Sequence, residues 1–388
     1  MRVLVAPDGF TGTLTAPEAA AAMAEGWLHT RPGDDVDLCP MSDGGPGFLD
    51  VLEAAAPASR RVEVPTTGPL GAPVTAPVLF LDGTTATAAV ESALACGTAL
   101  LPVAVPVAER DALGATTVGV GALLAAARAG LPPSGPRRVL VGLGGSATTD
   151  GGAGALAALA RADEPFLTSG GGAVRSVRAE HLSWLPALRA AWAEVDLVAA
   201  TDVDVPLLGP HGAAHGFGPQ KGASPADVAL LEEALAAWRD AVEEVEPVTT
   251  GVARAPGAGA AGGLGYGLLV LGGHREAGAR AVAQAVGLAD RVARADVVLT
   301  GEGSLDWQSL HGKVVAEVAR LGVRTGTPVV AVAGQVRLDV AQAVGAGLAL
   351  VHAVVEDAAH HPGELERSLA SPGPALAAAT AEAAAQWA

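Results

Sequence analysis

The chain has 388 residues, more than one hydrophobic core usually organises, so two domains are expected. Half of the residues are hydrophobic, yet no uninterrupted apolar run reaches the roughly eighteen residues of a membrane helix. A formal net charge of −17 and an aromatic content of 3% argue against nonspecific attraction to nucleic acid or anionic membranes.

In chain order, Met1-Arg2-Val3-Leu4-Val5-Ala6 is halted by Pro7 and Asp8 and reads as a first buried strand rather than a signal peptide. Thr15-Ala-Pro-Glu18 carries an N-cap threonine, a proline in the first turn and a glutamate at the third helical position, so a helix is predicted from there toward Trp27. A strand is predicted over 36–41, and 61–64, 74–81 and 84–90 are β-rich segments separated by Pro/Gly turns. Further strands are expected at 138–142, 196–201, 296–300, 328–333 and 348–355, with alanine-rich helical stretches between and a closing helix over 374–387. Strands that alternate with helices around glycine-rich loops make the class α/β. The change of pattern near Thr67-Gly-Pro-Leu-Gly71 and its return near 290 predict two α/β domains. One is a discontinuous Rossmann-like parallel-sheet domain (1–70 plus 290–388), the other an inserted mixed α/β domain (71–289), with the active site expected in the cleft between them. Cys39 and Cys96 are too few for a disulfide framework and form no CxxC pair, which fits a cytoplasmic, reducing setting.

Five acid-and-glycine loops follow predicted strands, where ligands of such sheets gather. They are Ala6-Pro-Asp8-Gly9, Met41-Ser-Asp43-Gly44-Gly45, the 142–154 segment, the 201–222 segment and the 300–313 segment. In the third, Gly144, Gly145, Ser146, Thr148 and Thr149 offer backbone amides and hydroxyls to a phosphate, and Asp150 is either a helix N-cap or an orienter of metal-bound water. In the fourth, Asp202 and Asp204 are one residue apart and precede Gln220-Lys221. A carboxylate can hold magnesium or take a hydroxyl proton while a cation steadies phosphate charge, against the plainer reading of turn-forming aspartates and a solvated lysine. The fifth supplies Glu302, Asp306, His311 and Lys313. Together the loops argue for a polyphosphate and metal site.

Two residues among the 24 basic ones are lysine, Lys221 and Lys313, both in glycine-flanked loops. A compact ammonium is not readily replaced by a guanidinium, so phosphate or carboxylate contact is expected of each. His211 and His215 lie four apart in a glycine-rich loop rather than on a predicted helix, and His360 and His361 border Pro362, so all four are read as structural or solvated. The run 257–265 is either a tight packing surface at a helix start or a nucleotide-facing loop.

These segments, in this order, resemble the type I glycerate kinase family over nearly the whole chain. The most specific pieces are GLGGSATTDGGAG (142–154), DVPLLGP (204–210), FGPQKGA (217–223), PGAGAAGGLG (256–265) and TGEGSLDWQSLHGK (300–313). The resemblance implies two α/β domains flanking a cleft, ATP as co-substrate, Mg2+, and D-glycerate as acceptor. It implies Asp202 or Asp43 as base and Lys221 and Lys313 as charge-stabilising groups. Phosphate contact falls to Gly144, Gly145, Ser146, Thr148, Thr149 and Gln220. Ligand or magnesium positioning falls to Asp8, Gly44, Gly45, Glu302, Asp306 and His311, with Asp202 and Asp204 as metal ligands. The sequence departs from the family pattern at Thr11 (usually lysine), Pro46 (glutamate), Val205 (asparagine), Ser304 (arginine) and Leu94 (glutamate), and 117–122 lacks a usual polar pair. Lost cations weaken a carboxylate grip, which leaves open a different small hydroxy-acid acceptor or a noncatalytic ligand-binding relative.

Overall fold

The computed structural model describes residues 1–10, 12–102, 104–310, 312–356 and 362–387. The chain forms two compact units. The first contains Met1–Asp43, Gly47–Pro57 and Ala277–Ala388; the second contains Gly44–Pro46 and Ala58–Glu276. The strands in chain order are β1 (Arg2–Val5), β2 (Asp35–Leu38), β3 (Arg60–Thr67), β4 (Pro73–Leu81), β5 (Ala86–Glu91), β6 (Arg137–Gly142) and β7 (Asp196–Ala200). They continue with β8 (His274–Glu276), β9 (Val297–Thr300), β10 (Ser304–Leu305), β11 (Val329–Ala333), β12 (Gln335–Val336) and β13 (Leu350–Ala353).

The first unit is built on a five-stranded, wholly parallel sheet of order β13-β11-β9-β1-β2. β9 and β11 are buried throughout, the signature of a parallel sheet covered on both faces. On one face Val3, Val5, Val297, Leu299, Val330 and Val332 pack with Met23, Trp27, Leu376 and Ala383 from helices Ala16–Thr30 and Pro372–Gln386. Those helices approach so closely that a Cβ at Gly26 would meet the Ala377 carbonyl. The expected capping box is present, Thr15 and Glu18 each satisfying the other's backbone amide. Trp27 donates its indole N–H to Asp34 at 2.9 Å, which fixes the turn into β2. A short parallel ribbon of β10 and β12 extends the unit beyond the sheet.

The second unit has a six-stranded mixed sheet, β3-β4-β5-β6-β7-β8. Its first three strands form an antiparallel meander and its last four run parallel. One core, including Leu123, Leu124, Val139, Val141, Trp238 and Tyr266, joins the sheet to its helices.

Apart from the short excursion at Gly44–Pro46, the chain crosses between units at 57/58 and 276/277 rather than near 70 and 290. β3 hydrogen-bonds along its whole length to β4, so it cannot be left with the first unit, and helix Gly278–Ala285 packs against Val314–Thr325. The strand expected over 36–41 is regular only through Leu38, although the Cys39 and Met41 amides still donate to the Val5 and Pro7 carbonyls beyond it. β8, β10 and β12 were not expected; at two or three residues each they carry no periodic signal.

Candidate functional site

Each unit gathers candidate residues at the C-terminal edge of its own parallel strands. In the first unit β9, β1 and β2 are neighbours, with Val5 register-paired to both Leu299 and Leu38. Asp8 and Glu302 each stand three residues beyond that paired row, so their loops leave the sheet at one level, tied by the Asp8 amide donating to the Gly301 carbonyl at 2.9 Å. Asp43 follows β2, Asp306 follows β10, and Lys313 is the N-cap residue of helix Val314–Thr325. Asp8, Asp43, Glu302, Asp306 and Lys313 line one cavity of about 420 Å³, together with Ser304. Its opposite wall is apolar: Phe10, Leu14 and Val354, with Leu365, Leu369 and Leu376 of the last two helices.

The electrostatics of this cavity are set by burial and by crowded carboxylates. Burial, then the neighbouring Asp43 and Glu302, push the Asp8 carboxyl up to about 7, against the opposing pull of the Gly9 amide and Lys313. Burial likewise raises Glu302, opposed by the Ser309 hydroxyl and by Lys313. Glu302 Oε1 is buried with no hydrogen-bond partner, and so is the Ser304 hydroxyl. Asp306 is held in its turn by Ser309, whose amide and hydroxyl contact the Asp306 carboxylate and amide. Thr11 and His311 lie outside the described residues, as do His360 and His361.

In the second unit β6 and β7 are neighbours and Gly142 pairs with Ala200, so the 143–149 loop and Asp202 emerge side by side. The loop is rigidly placed. Thr98 donates to the Gly145 carbonyl at 2.9 Å, and Ala147 to that of Cys96 at 2.7 Å. Gly44 has φ +91°, and a Cβ there would press on the Ala200 carbonyl, so Gly44 and Gly45 lie as bare backbone across the β6 and β7 ends, against Gly144. Lys221 is 4% exposed. Its ammonium donates to Ser146 Oγ at 2.9 Å and the Thr148 carbonyl at 2.6 Å. Burial pulls it down to about 8, partly offset by Cys96 and Asp150. At least two of its three N–H donors therefore shape the loop rather than facing solvent.

Asp150 resolves in favour of structure. Its carboxylate, wholly buried, accepts five hydrogen bonds, from the Thr117 amide and hydroxyl, the Thr116 hydroxyl and the Gly152 and Gly154 amides. The 257–265 run is the packing surface against the same loop: Ala261, Gly262 and Gly263 all have positive φ, and a Cβ at Gly262 would collide with the Thr148 carbonyl. Gln220 is exposed on the turn beside Lys221. Asp202 is half-buried, its carbonyl accepting from Arg275 at 3.3 Å, while Asp204 is exposed. His215 faces Glu232 at 3.4 Å on the surface, and His211 is exposed. Among the described residues no three His, Cys, Asp or Glu side chains converge as a metal cage, and no helix is long and apolar enough to cross a membrane.

Two features escaped the sequence. Much of the apolar wall of the acidic cavity comes from the last two helices, where alanine-rich composition reads simply as a closing segment. The Thr116–Thr117 hub for Asp150 carries no motif at all.

The Glycerate kinase family model matches residues 3–388. The chain is 45% identical over 356 residues to an uncharacterized protein of Mycobacterium bovis, covering 92% of this chain and 84% of that one. It is 38% identical over 381 residues to the glycerate kinase of Bacillus subtilis (95% and 96% covered) and 36% identical over 346 residues to the glycerate 2-kinase of Escherichia coli (88% and 87%). A crystal structure described as glycerate kinase 2 of Salmonella typhimurium LT2 superposes with a TM-score of 0.78 at 31% identity, covering 100% of this chain and 98% of that one. With strand-end loops, α/β architecture and relatives in agreement, the chain belongs to the glycerate kinase family, kinases that act on an alcohol group.

Proposed function

We propose that the protein transfers the γ-phosphoryl group of ATP directly to a hydroxyl of D-glycerate, giving a phosphoglycerate and ADP. The hydroxyl oxygen forms the new bond to phosphorus, the bond to the β–γ bridging oxygen breaks, and the hydroxyl proton passes to a carboxylate. The observation that carries this reading is the acidic cavity of the first unit, where Asp8, poised near neutrality, sits with Asp43, Glu302, Asp306 and a single lysine. Asp43 shares that cavity and Asp202 stands at the β7 end, so both remain candidate bases. In the second unit the accessible backbone at Gly144 and Gly145, locked by Lys221 through Ser146, suits phosphate oxygens, whereas the Thr148 and Thr149 hydroxyls are buried; Lys221 acts there by positioning, and exposed Gln220 is free to reach a ligand.

Magnesium fits the donor set in one form. Hard carboxylate oxygens abound in the first unit, and the buried, unpartnered Glu302 Oε1 is a natural acceptor of positive charge. With no three-residue cage among the described residues, the ion would come with the nucleotide, neutralising phosphate charge while Asp8, Asp43 or Glu302 would supply one or two ligands. Asp202 can serve in the same way; exposed Asp204 is the poorer ligand. Free, buried Cys39 and Cys96 support a cytosolic setting.

A second reading, a different small hydroxy-acid acceptor, is favoured by Ser304. It lines the cavity where the family usually has arginine, so a cation for the acceptor carboxylate is missing there. The test is an acceptor panel with ATP and magnesium. Phosphoglycerate formation from D-glycerate well above background is the expected result. Turnover with another hydroxy-acid alone would move the assignment to the second reading, and ATP binding without transfer to any acceptor would leave a noncatalytic relative.

A further inference from the structure

A second polar cavity, of about 330 Å³, lies in the first unit between helices Gly278–Ala285 and Val314–Thr325 and shares no residue with the acidic one. Arg280 and Gln284 line it from the first helix; Glu317, Arg320 and Arg324 line it from the second, and the small side chain of Ala289 leaves it open. The charge arrangement there serves the fold only in part: Arg324 lies in the last turn of its helix, where a cation is favoured, but two other features run against stability. Arg320 and Arg324 are like charges at i and i+4, a spacing that destabilises a helix. Arg280 sits in the first turn of its helix, the end at which the macrodipole disfavours a cation. Arg320 is paired with the buried Glu317 carboxylate, but Arg280 and Arg324 have no acidic or hydrogen-bonding partner among the described residues. Three guanidinium groups against one carboxylate leave a net +2 around this cavity in a chain of net −17.

We infer that this groove binds a small phosphate-bearing anion through Arg280 and Arg324, with Arg320 held in place by Glu317. Guanidinium forks match phosphate and carboxylate oxygens, and a bound dianion would balance the +2 and remove the repulsion along Val314–Thr325. The cavity is large enough for a three-carbon phosphorylated acid as well as for free phosphate. Its position separates it from the acidic cavity: Lys313 and Arg324 are at opposite ends of one helix, about 16 Å apart along the axis.

The experiment compares intact wild type with an Arg280→Gln/Arg324→Gln double variant, both residues being exposed and outside the acidic cavity. Arg320 is left intact because its loss would strand Glu317. Inorganic phosphate is titrated at constant ionic strength, with chloride as the balancing anion, and thermal unfolding is followed. The expected result is a phosphate half-saturation at least tenfold weaker in the variant, with unchanged turnover in phosphate-free buffer. Phosphate bound at the catalytic loops would respond alike in both proteins. A second arm with phosphoglycerate identifies the source: tighter half-saturation than phosphate, lost in the variant, points to a phosphorylated acid, and equal values point to phosphate itself. Identical half-saturation in wild type and variant, or no response beyond that of chloride, would overturn the inference.

Discussion

The two loop clusters solve the problem of handling charge in opposite ways. The cavity of the first unit keeps four carboxylates beside one lysine, where burial first and mutual repulsion second raise Asp8 to about 7 and a buried Glu302 oxygen goes unpartnered. The loop of the second unit instead matches its buried charges: Asp150 accepts five hydrogen bonds and Lys221 ties Ser146 to Thr148, so that among the described residues of that loop only the neutral Thr148 and Thr149 hydroxyls are buried without a partner. One cluster is tuned by electrostatic frustration and the other by preorganisation. The lesson is that substitutions in the second should appear first as lost stability, and substitutions in the first as lost turnover.

The largest effect should come from Asp150→Ala. It strands several buried donors around Thr117, Gly152 and Gly154, and a loss of about 3–5 kcal/mol is expected in urea unfolding. A loss under 1 kcal/mol would mean that the loop is not preorganised as described. Lys221→Met comes next. It keeps much of the side-chain volume but leaves Ser146 Oγ and the Thr148 carbonyl without their donor, so about 1–3 kcal/mol should be lost. If Lys221 acts through the loop, phosphoryl transfer should fall with a raised KM for ATP. A stability equal to wild type with abolished turnover would instead make it a direct ligand and erase the contrast between the clusters.

Much of this architecture was legible in advance, for identifiable reasons. Strands such as 138–142 and 328–333 are apolar runs ending in glycine or acid, and the Thr15–Glu18 capping box is a local device that needs no tertiary information. The unit boundary was harder, because whether β3 pairs forward with β4 or backward is a nonlocal choice that composition near Gly68 does not record. In the site, the residue types at strand ends were visible while their states were not. Lys221 looks in sequence like a solvated or ligand-facing cation, and only packing shows that it is buried beneath the loop it holds. Asp8 looks like any loop aspartate until Asp43 and Glu302, from β2 and β9, are brought beside it by the strand order.

The smallest expected change in stability, and the sharpest test of the contrast, is Asp8→Asn. Because the folded-state carboxyl titrates near 7 and the unfolded one near its ordinary 3.8, the folded protein binds more protons between those values. The contribution of Asp8 to stability is therefore fully present below about 3.8 and is lost progressively as pH rises through 7. Asparagine keeps the shape and removes the charge, so the variant should be as stable as wild type or slightly more so at pH 8, with a flatter stability profile from pH 4 to 7. Its turnover, under the proposed reaction, should fall by about tenfold or more, the scale of a lost charge-assisted contact to ligand or magnesium. Chemical denaturation at several pH values, paired with assays on the same preparations, separates the two readouts. A variant clearly less stable than wild type at pH 8 would show that ionised Asp8 is a supporting member of its unit, and the electrostatic frustration assigned to that cavity would have to be withdrawn.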